Sequence, residues 1–132
     1  MEFSHNIQLR VRYGETDQMG YCYYGNYAQY FEVGRVETLR SIGMSYKQLE
    51  EDGYMLPVSE LNIQYKKPAL YDDLLTIKTT ITEVKGARIY FSYEITNDEQ
   101  QLIAIATTTL VFVAKENMRP TQPPASFLKL IQ

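Results

Sequence analysis

Histidine, cysteine and tryptophan are almost missing from this chain of 132 residues: His5 and Cys22 stand alone, and there is no tryptophan. A single thiol excludes an internal disulfide and fits a reducing compartment. A single histidine, far from any serine in a glycine-flanked elbow, leaves no Ser-His-Asp or Cys-His device. No two candidate ligands fall at a metal-site spacing, so no metal is expected. His5 reads as a solvated residue near the chain end. Phosphate-cradling glycine patterns are lacking too.

Nor is there an excess of basic charge. Thirteen Lys and Arg face sixteen Asp and Glu, for a net charge of -3. That balance excludes a broad cationic field for nucleic acid, so an acidic ligand needs a local cluster of cations. No run approaches the length of a membrane span, and M-E-F-S-H-N-I-Q has no basic and apolar leader. No membrane span is therefore expected, and a cytoplasmic location is the simplest reading.

What the chain does have is tyrosine, twelve against five phenylalanines. Tyrosine suits pleated, half-buried surfaces and interfaces. The length fits one domain, residues 1–132. Ile7, Leu9, Val11 and Tyr13 alternate with Gln8, Arg10 and Arg12, which predicts a half-buried strand. A glycine-punctuated loop follows, Gly14 to Gly25. From Asn26 to about Ile42 the residues favour a helix, roughly 25 Å long. Its apolar positions spread round most of the barrel, which predicts a helix enclosed by the rest of the fold. Gly43 supplies the stop, and residues 45–53 read as a short exposed helical turn.

Beyond Tyr54 the pattern is β. Strands are expected at Leu56 to Tyr65, Leu74 to Thr82, Ile89 to Ile95 and Leu102 to Val113, in an antiparallel meander with a short amphipathic stretch at Ser126 to Ile131. The fold class is α+β, one long helix with five strands. The last strand is apolar on both faces, so its second face needs a partner, and self-association is expected.

Within the loop G-E-T-D-Q-M-G, Asp17 stands just before the helix. An aspartate there forms turns through its own side chain. It also lies beside the helix N-terminus, whose first N–H groups have no partners in the helix and can hold a developing oxyanion. A carboxylate one substrate-width away could attack a thioester carbonyl or activate water to do so. Such a site works without histidine, because a thiolate leaves readily.

Two stretches carry a resemblance: V-R-Y-G-E-T-D-Q-M-G-Y-C-Y-Y-G-N-Y-A-Q-Y-F-E, residues 11–32, and Y-K-K-P-A-L-Y-D-D, residues 65–73. With them the chain resembles the hotdog-fold acyl-CoA thioesterases, in the branch of 4-hydroxybenzoyl-CoA thioesterase and the Tol-Pal-associated acyl-CoA thioesterases. The resemblance implies a long central helix wrapped by a five-stranded antiparallel sheet. It implies dimers, with tetramers beyond them, whose active sites lie at the subunit interface. Asp17 takes the place of the family's nucleophile or general base. Tyr24 or Gly25 takes that of the backbone N–H polarising the thioester carbonyl. Lys66, Lys67 and Arg88 are candidates for the coenzyme A phosphates, although surface lysines are solvated by default. Tyr27, Tyr30, Phe31 and Met55 are candidates for the acyl pocket, although the same spacing suits core. Many members of the Tol-Pal branch have a histidine where Tyr24 stands. W-Y-P-N-Y of the hydroxybenzoyl branch is nearer to Y-Y-G-N-Y here. A carrier-protein thioesterase and a non-catalytic acyl-CoA binding protein are the other readings.

Overall fold

The structure, a computed structural model, describes residues 2–132. Strand β1 (Phe3–Arg10) opens the chain, and a turn at Tyr13–Glu15 ends its alternation. Tyr13, expected on the inner face with Val11, is therefore 78% exposed, while Val11 is buried. Helix α1 covers Tyr27–Ser41, preceded by a 3-10 turn at Tyr24–Asn26. Gly43 stops it at a φ of 102°, a conformation that favours glycine. Ser45 then caps α2 (Tyr46–Glu51), accepting from the Gln48 N–H at 3.0 Å. α2 is the short exposed turn its polar letters suggest, with Lys47, Gln48, Glu50 and Glu51 exposed and Leu49 anchoring it in the core.

The remaining strands are β2 (Tyr54–Met55), β3 (Val58–Tyr65), β4 (Leu74–Lys85), β5 (Arg88–Thr96), β6 (Leu102–Val111) and β7 (Val113–Ala114). A short C-terminal helix, α3 (Ala125–Leu130), lays Phe127 against Phe112 at 5.3 Å. The main sheet has five strands in the order β1-β4-β5-β6-β3, while β2 pairs with β7. All its pairings are antiparallel. Only β4, β5 and β6 form the expected meander. β3 crosses the whole sheet to pair with β6, which leaves β1 and β3 as the two edges. One long helix against a five-stranded antiparallel sheet is the architecture that the resemblance implies.

Register decides which side chains meet α1. Ile77 faces Ile95, Thr79 faces Tyr93, and Ile81 faces Phe91. All six are buried, together with Leu110, Leu75 and Ile89. α1 buries Tyr27, Tyr30, Phe31, Gly34, Arg35, Thr38 and Leu39. That is one stripe, so the helix is covered on one side and Val33 stays 43% exposed. The stripe includes a glycine, an arginine and a threonine, which a reading of apolar letters alone misplaces. Gly34 lets the helix approach closely: a β-carbon there would collide with Thr79 Oγ1 and lie 3.3 Å from Ile77 Cγ2.

The outer face of the sheet is more polar than the letters of β6 suggest. Thr107 is exposed there, and Ile105 and Val111 are half-buried. Exposed apolar side chains also lie along β3, at Val58, Leu61 and Tyr65. No helix among the described residues is long and apolar enough to cross a membrane.

Candidate active site

The loop after β1 is tied down at both ends by the second of the two motifs. Val11 donates to the Asp73 carbonyl at 3.0 Å, Asp72 donates to the Val11 carbonyl at 2.9 Å, and Cys22 donates to the Ala69 carbonyl at 2.7 Å. The two stretches that carry the resemblance thus lie side by side. Inside the loop, Asp17 forms a turn through its own side chain. Its Oδ1 accepts from the Met19 N–H at 2.9 Å and the Tyr21 N–H at 3.3 Å, an Asx turn. Only Oδ1 is engaged in this way; Oδ2 accepts no hydrogen bond among the described residues.

Across from the loop the chain winds into α1. Asn26 donates to the Tyr23 carbonyl, and Tyr27 donates to the Tyr24 carbonyl. Those bonds leave the Tyr24 and Gly25 N–H groups without an acceptor among the described residues, as expected of a helix start. Gly25 sits under the Tyr23 ring: a β-carbon there would lie 2.6 Å from Tyr23 Cε2.

Asp17, Tyr24, Tyr27, Lys66 and Lys67 line one cleft of about 290 Å³. Its apolar wall is tyrosine. The Tyr65 ring stands edge-on to Tyr27 at 5.1 Å and to Tyr24 at 6.5 Å. The Tyr65 hydroxyl donates to the Tyr24 carbonyl at 3.5 Å. Burial pushes the Tyr27 phenol up to about 12 and raises that of Tyr65 as well. Both phenols therefore stay neutral near pH 7. The Cys22 thiol, which also lines the cleft, is likewise pushed up by burial, so it remains a thiol and a poor nucleophile. At the end of β3 the Lys66 and Lys67 N–H groups both donate to the Ile103 carbonyl, at 2.8 and 3.1 Å. This sharp turn sets both lysines beside the cleft.

Four of the candidates lie elsewhere, and the first of them, Tyr30, is buried with its hydroxyl on Glu15 Oε1 at 2.8 Å. Phe31 is 0% exposed and packs on Tyr93 at 4.6 Å, inside the core. Met55 lies in β2, paired with Val113. Arg88 begins β5 and borders a separate hollow with Lys85, Tyr90 and Pro120. Conversely, Met19, Tyr21 and Tyr65 line the cleft without having been singled out as site residues. Tyr65 is the first letter of Y-K-K-P-A, but no local letter ties it to the loop after β1.

The family described as the thioesterase-like superfamily matches residues 11–131. The putative acyl-CoA thioesterase YneP of Bacillus subtilis (strain 168) is 37% identical over 115 residues, 87% of this chain and 83% of that protein. The crystal structure of a DHNA-CoA thioesterase from Staphylococcus aureus superposes with a TM-score of 0.87 at 34% identity, covering 90% of this chain and 80% of the other. A 4-hydroxybenzoyl-CoA thioesterase variant, complexed with 4-hydroxybenzoyl-CoA, gives a TM-score of 0.89 at 25% identity over 98% and 99% of the two chains. On a match that runs from the end of β1 through α3, the chain belongs to the thioesterase-like superfamily: it is a hotdog-fold thioester hydrolase.

Proposed function

We propose that the chain hydrolyses coenzyme A thioesters, with Asp17 as nucleophile or general base and the Tyr24 and Gly25 N–H groups as the oxyanion site. The observation that carries this reading is the shared cleft of Asp17, Tyr24, Lys66 and Lys67. The thioester carbonyl oxygen points at the free N–H groups, which stabilise the charge that develops in the transition state. In the general-base route, Asp17 takes a proton from water as the water oxygen bonds to the carbonyl carbon. The C–S bond then breaks, and the proton passes to the departing thiolate. In the nucleophilic route, an Asp17 oxygen bonds to the carbonyl carbon and the thiolate leaves. Water then opens the resulting anhydride, freeing the acid and regenerating the carboxylate. Neither route asks a tyrosine to ionise, in keeping with the raised phenol of Tyr27.

A panel of aromatic and short aliphatic coenzyme A esters, followed with a thiol-reactive dye, tests the reading. One free thiol per ester consumed supports it, and binding with no thiol released by any ester contradicts it. The tyrosine edges suit either acyl class.

Lys66 and Lys67 hold the coenzyme A phosphates at the rim. An exposed ion pair contributes up to about 1 kcal/mol, so Lys66→Gln with Lys67→Gln raises KM by about tenfold and leaves kcat within about twofold. The effect shrinks in high salt. A fall in kcat with KM unchanged would remove the phosphate role.

A second copy of the chain covers the β3 edge. An unpaired edge carrying exposed Val58, Leu61 and Tyr65 supports this, and Tyr65 also belongs to the cleft wall, so pairing there sets the partner beside the site. Sedimentation equilibrium is expected to give at least twice the mass of one 15.4 kDa chain. A single species of one chain's mass contradicts it.

A further inference from the structure

Beneath the Asp17 loop lies a carboxylate that this chemistry does not use. Glu15 is 8% exposed, two residues before Asp17. Its Oε1 accepts from the Arg12 N–H at 2.9 Å and from the Tyr30 hydroxyl at 2.8 Å. Its Oε2 accepts from the Arg12 guanidinium at 3.2 Å. Burial pushes this carboxyl up, but the Arg12 N–H, the Tyr30 hydroxyl and the Arg12 guanidinium together hold it below its usual value. Glu15 is therefore an anion kept in the interior at neutral pH. Burying a charge costs several kcal/mol unless donors compensate it. A loop that only had to turn could leave its acid in water.

The two arms of this carboxylate differ. The Arg12 side chain is 78% exposed and three residues away, so its ion pair is local and screened by water. The Tyr30 arm is buried and reaches fifteen residues along the chain, into α1. The same hydroxyl lies 3.4 Å from Cys22 Sγ. Meanwhile the Glu15 carbonyl accepts from the Tyr23 N–H at 2.8 Å and from Asn26 Nδ2 at 2.7 Å. Tyr23 and Asn26 bracket Tyr24 and Gly25, whose N–H groups have no acceptor among the described residues. One residue thus grips the body of α1 with its side chain and the helix lead-in with its backbone, while the chain runs on from its turn into Asp17.

We propose that Glu15 is a positioning residue: the buried Glu15–Tyr30 hydrogen bond sets the Asp17 carboxylate against the Tyr24 and Gly25 N–H groups. This rests on the thioesterase reading of the same cleft. A shift on the order of 1 Å between reacting groups can cost about a hundredfold in rate, so a link of this kind acts on turnover far more than on affinity. The charged and titratable groups against Glu15 are Arg12 and Tyr30, with the Cys22 thiol next to the Tyr30 hydroxyl.

Tyr30→Phe keeps the ring and deletes the hydroxyl, and Glu15→Met keeps the length of the side chain and deletes both acceptor oxygens. Both are compared with the wild-type chain on coenzyme A esters, well below the melting temperature. In parallel, NMR follows the Tyr24 and Gly25 amides with no ester present. Each variant is expected to lose about ten- to a hundredfold in kcat with KM within about twofold, and to move both amide resonances. The double variant falls no further than the worse single one, because both cut one link. A folded Tyr30→Phe with kcat within about twofold of wild type overturns the proposal, and so do losses that multiply in the double variant. Should Glu15→Met fail to fold, Tyr30→Phe decides by its own kcat and KM. If the wild-type chain cleaves no ester, the functional reading has failed separately. The amides then decide, and unmoved resonances in Tyr30→Phe overturn the link.

Discussion

Asp17→Asn is expected to lower kcat by roughly 10²–10⁴-fold, the range of a positioned acid or base, while the folded chain still binds ester. The substitution is clean because of what each Asp17 oxygen does. Oδ1 accepts from the Met19 and Tyr21 N–H groups, and an asparagine Oδ1 accepts the same two bonds, so the turn survives. The other oxygen becomes an amide nitrogen, which neither attacks a carbonyl nor takes a proton from water. Asp17→Ala would remove the turn bonds as well and mix two effects. Rate and melting temperature are measured on the same preparation. A rate within about tenfold of wild type would place the chemistry elsewhere, since no positioned carboxylate contributes so little.

Phe31→Ala is expected to destabilise the chain by about 3–5 kcal/mol, as large-to-small changes at fully buried aromatic positions do. Phe31 has no exposed surface, and its ring lies 4.6 Å from that of Tyr93 across the helix–sheet interface. The loss would consume much of the roughly 5–15 kcal/mol that ordinarily holds a domain together. Calorimetry should show the melting temperature falling by more than about 10 °C. An unchanged melting temperature with an altered acyl preference would return Phe31 to the substrate pocket. The distinction matters because helix spacing alone gives Tyr27 and Phe31 the same standing. Tyr27 lies one turn nearer the helix start and lines the cleft, whereas Phe31 lies one turn too deep.

Much of the fold was legible because alternation and burial coincide. Ile89, Phe91, Tyr93 and Ile95 were assigned to one face of a strand, and all four are buried on β5. The helix expected from Asn26 to about Ile42 runs Tyr27–Ser41. The place of β3 was not legible. Local letters define a strand but not its neighbour, and the β3–β6 pairing joins residues such as Ile63 and Ala106, far apart in the chain. The buried stripe of α1 was misjudged for a different reason. A close helix–sheet approach selects Gly34 for its lack of a side chain, and Arg35 is buried while its Nε donates to the Tyr46 hydroxyl at 3.2 Å. Neither residue registers as apolar. At the candidate site, Asp17 and Tyr24 could be found because both fall in one short motif. Tyr65 could not be paired with Tyr24 in advance, because only the crossing of β3 brings those rings together. Glu15 escaped notice because an acid in a polar, glycine-punctuated loop reads as solvated charge.

The most direct test of the central claim uses the Asp17→Asn protein with a carbonyl-labelled acyl-CoA ester bound. Slow turnover keeps the complex intact while infrared spectroscopy reads the thioester carbonyl. If the Tyr24 and Gly25 N–H groups grip that oxygen, its stretching frequency falls below that of the free ester, and the label stays in intact thioester. A carbonyl with its solution frequency, or label appearing as free acid at the wild-type rate, would contradict an aspartate working against the start of α1.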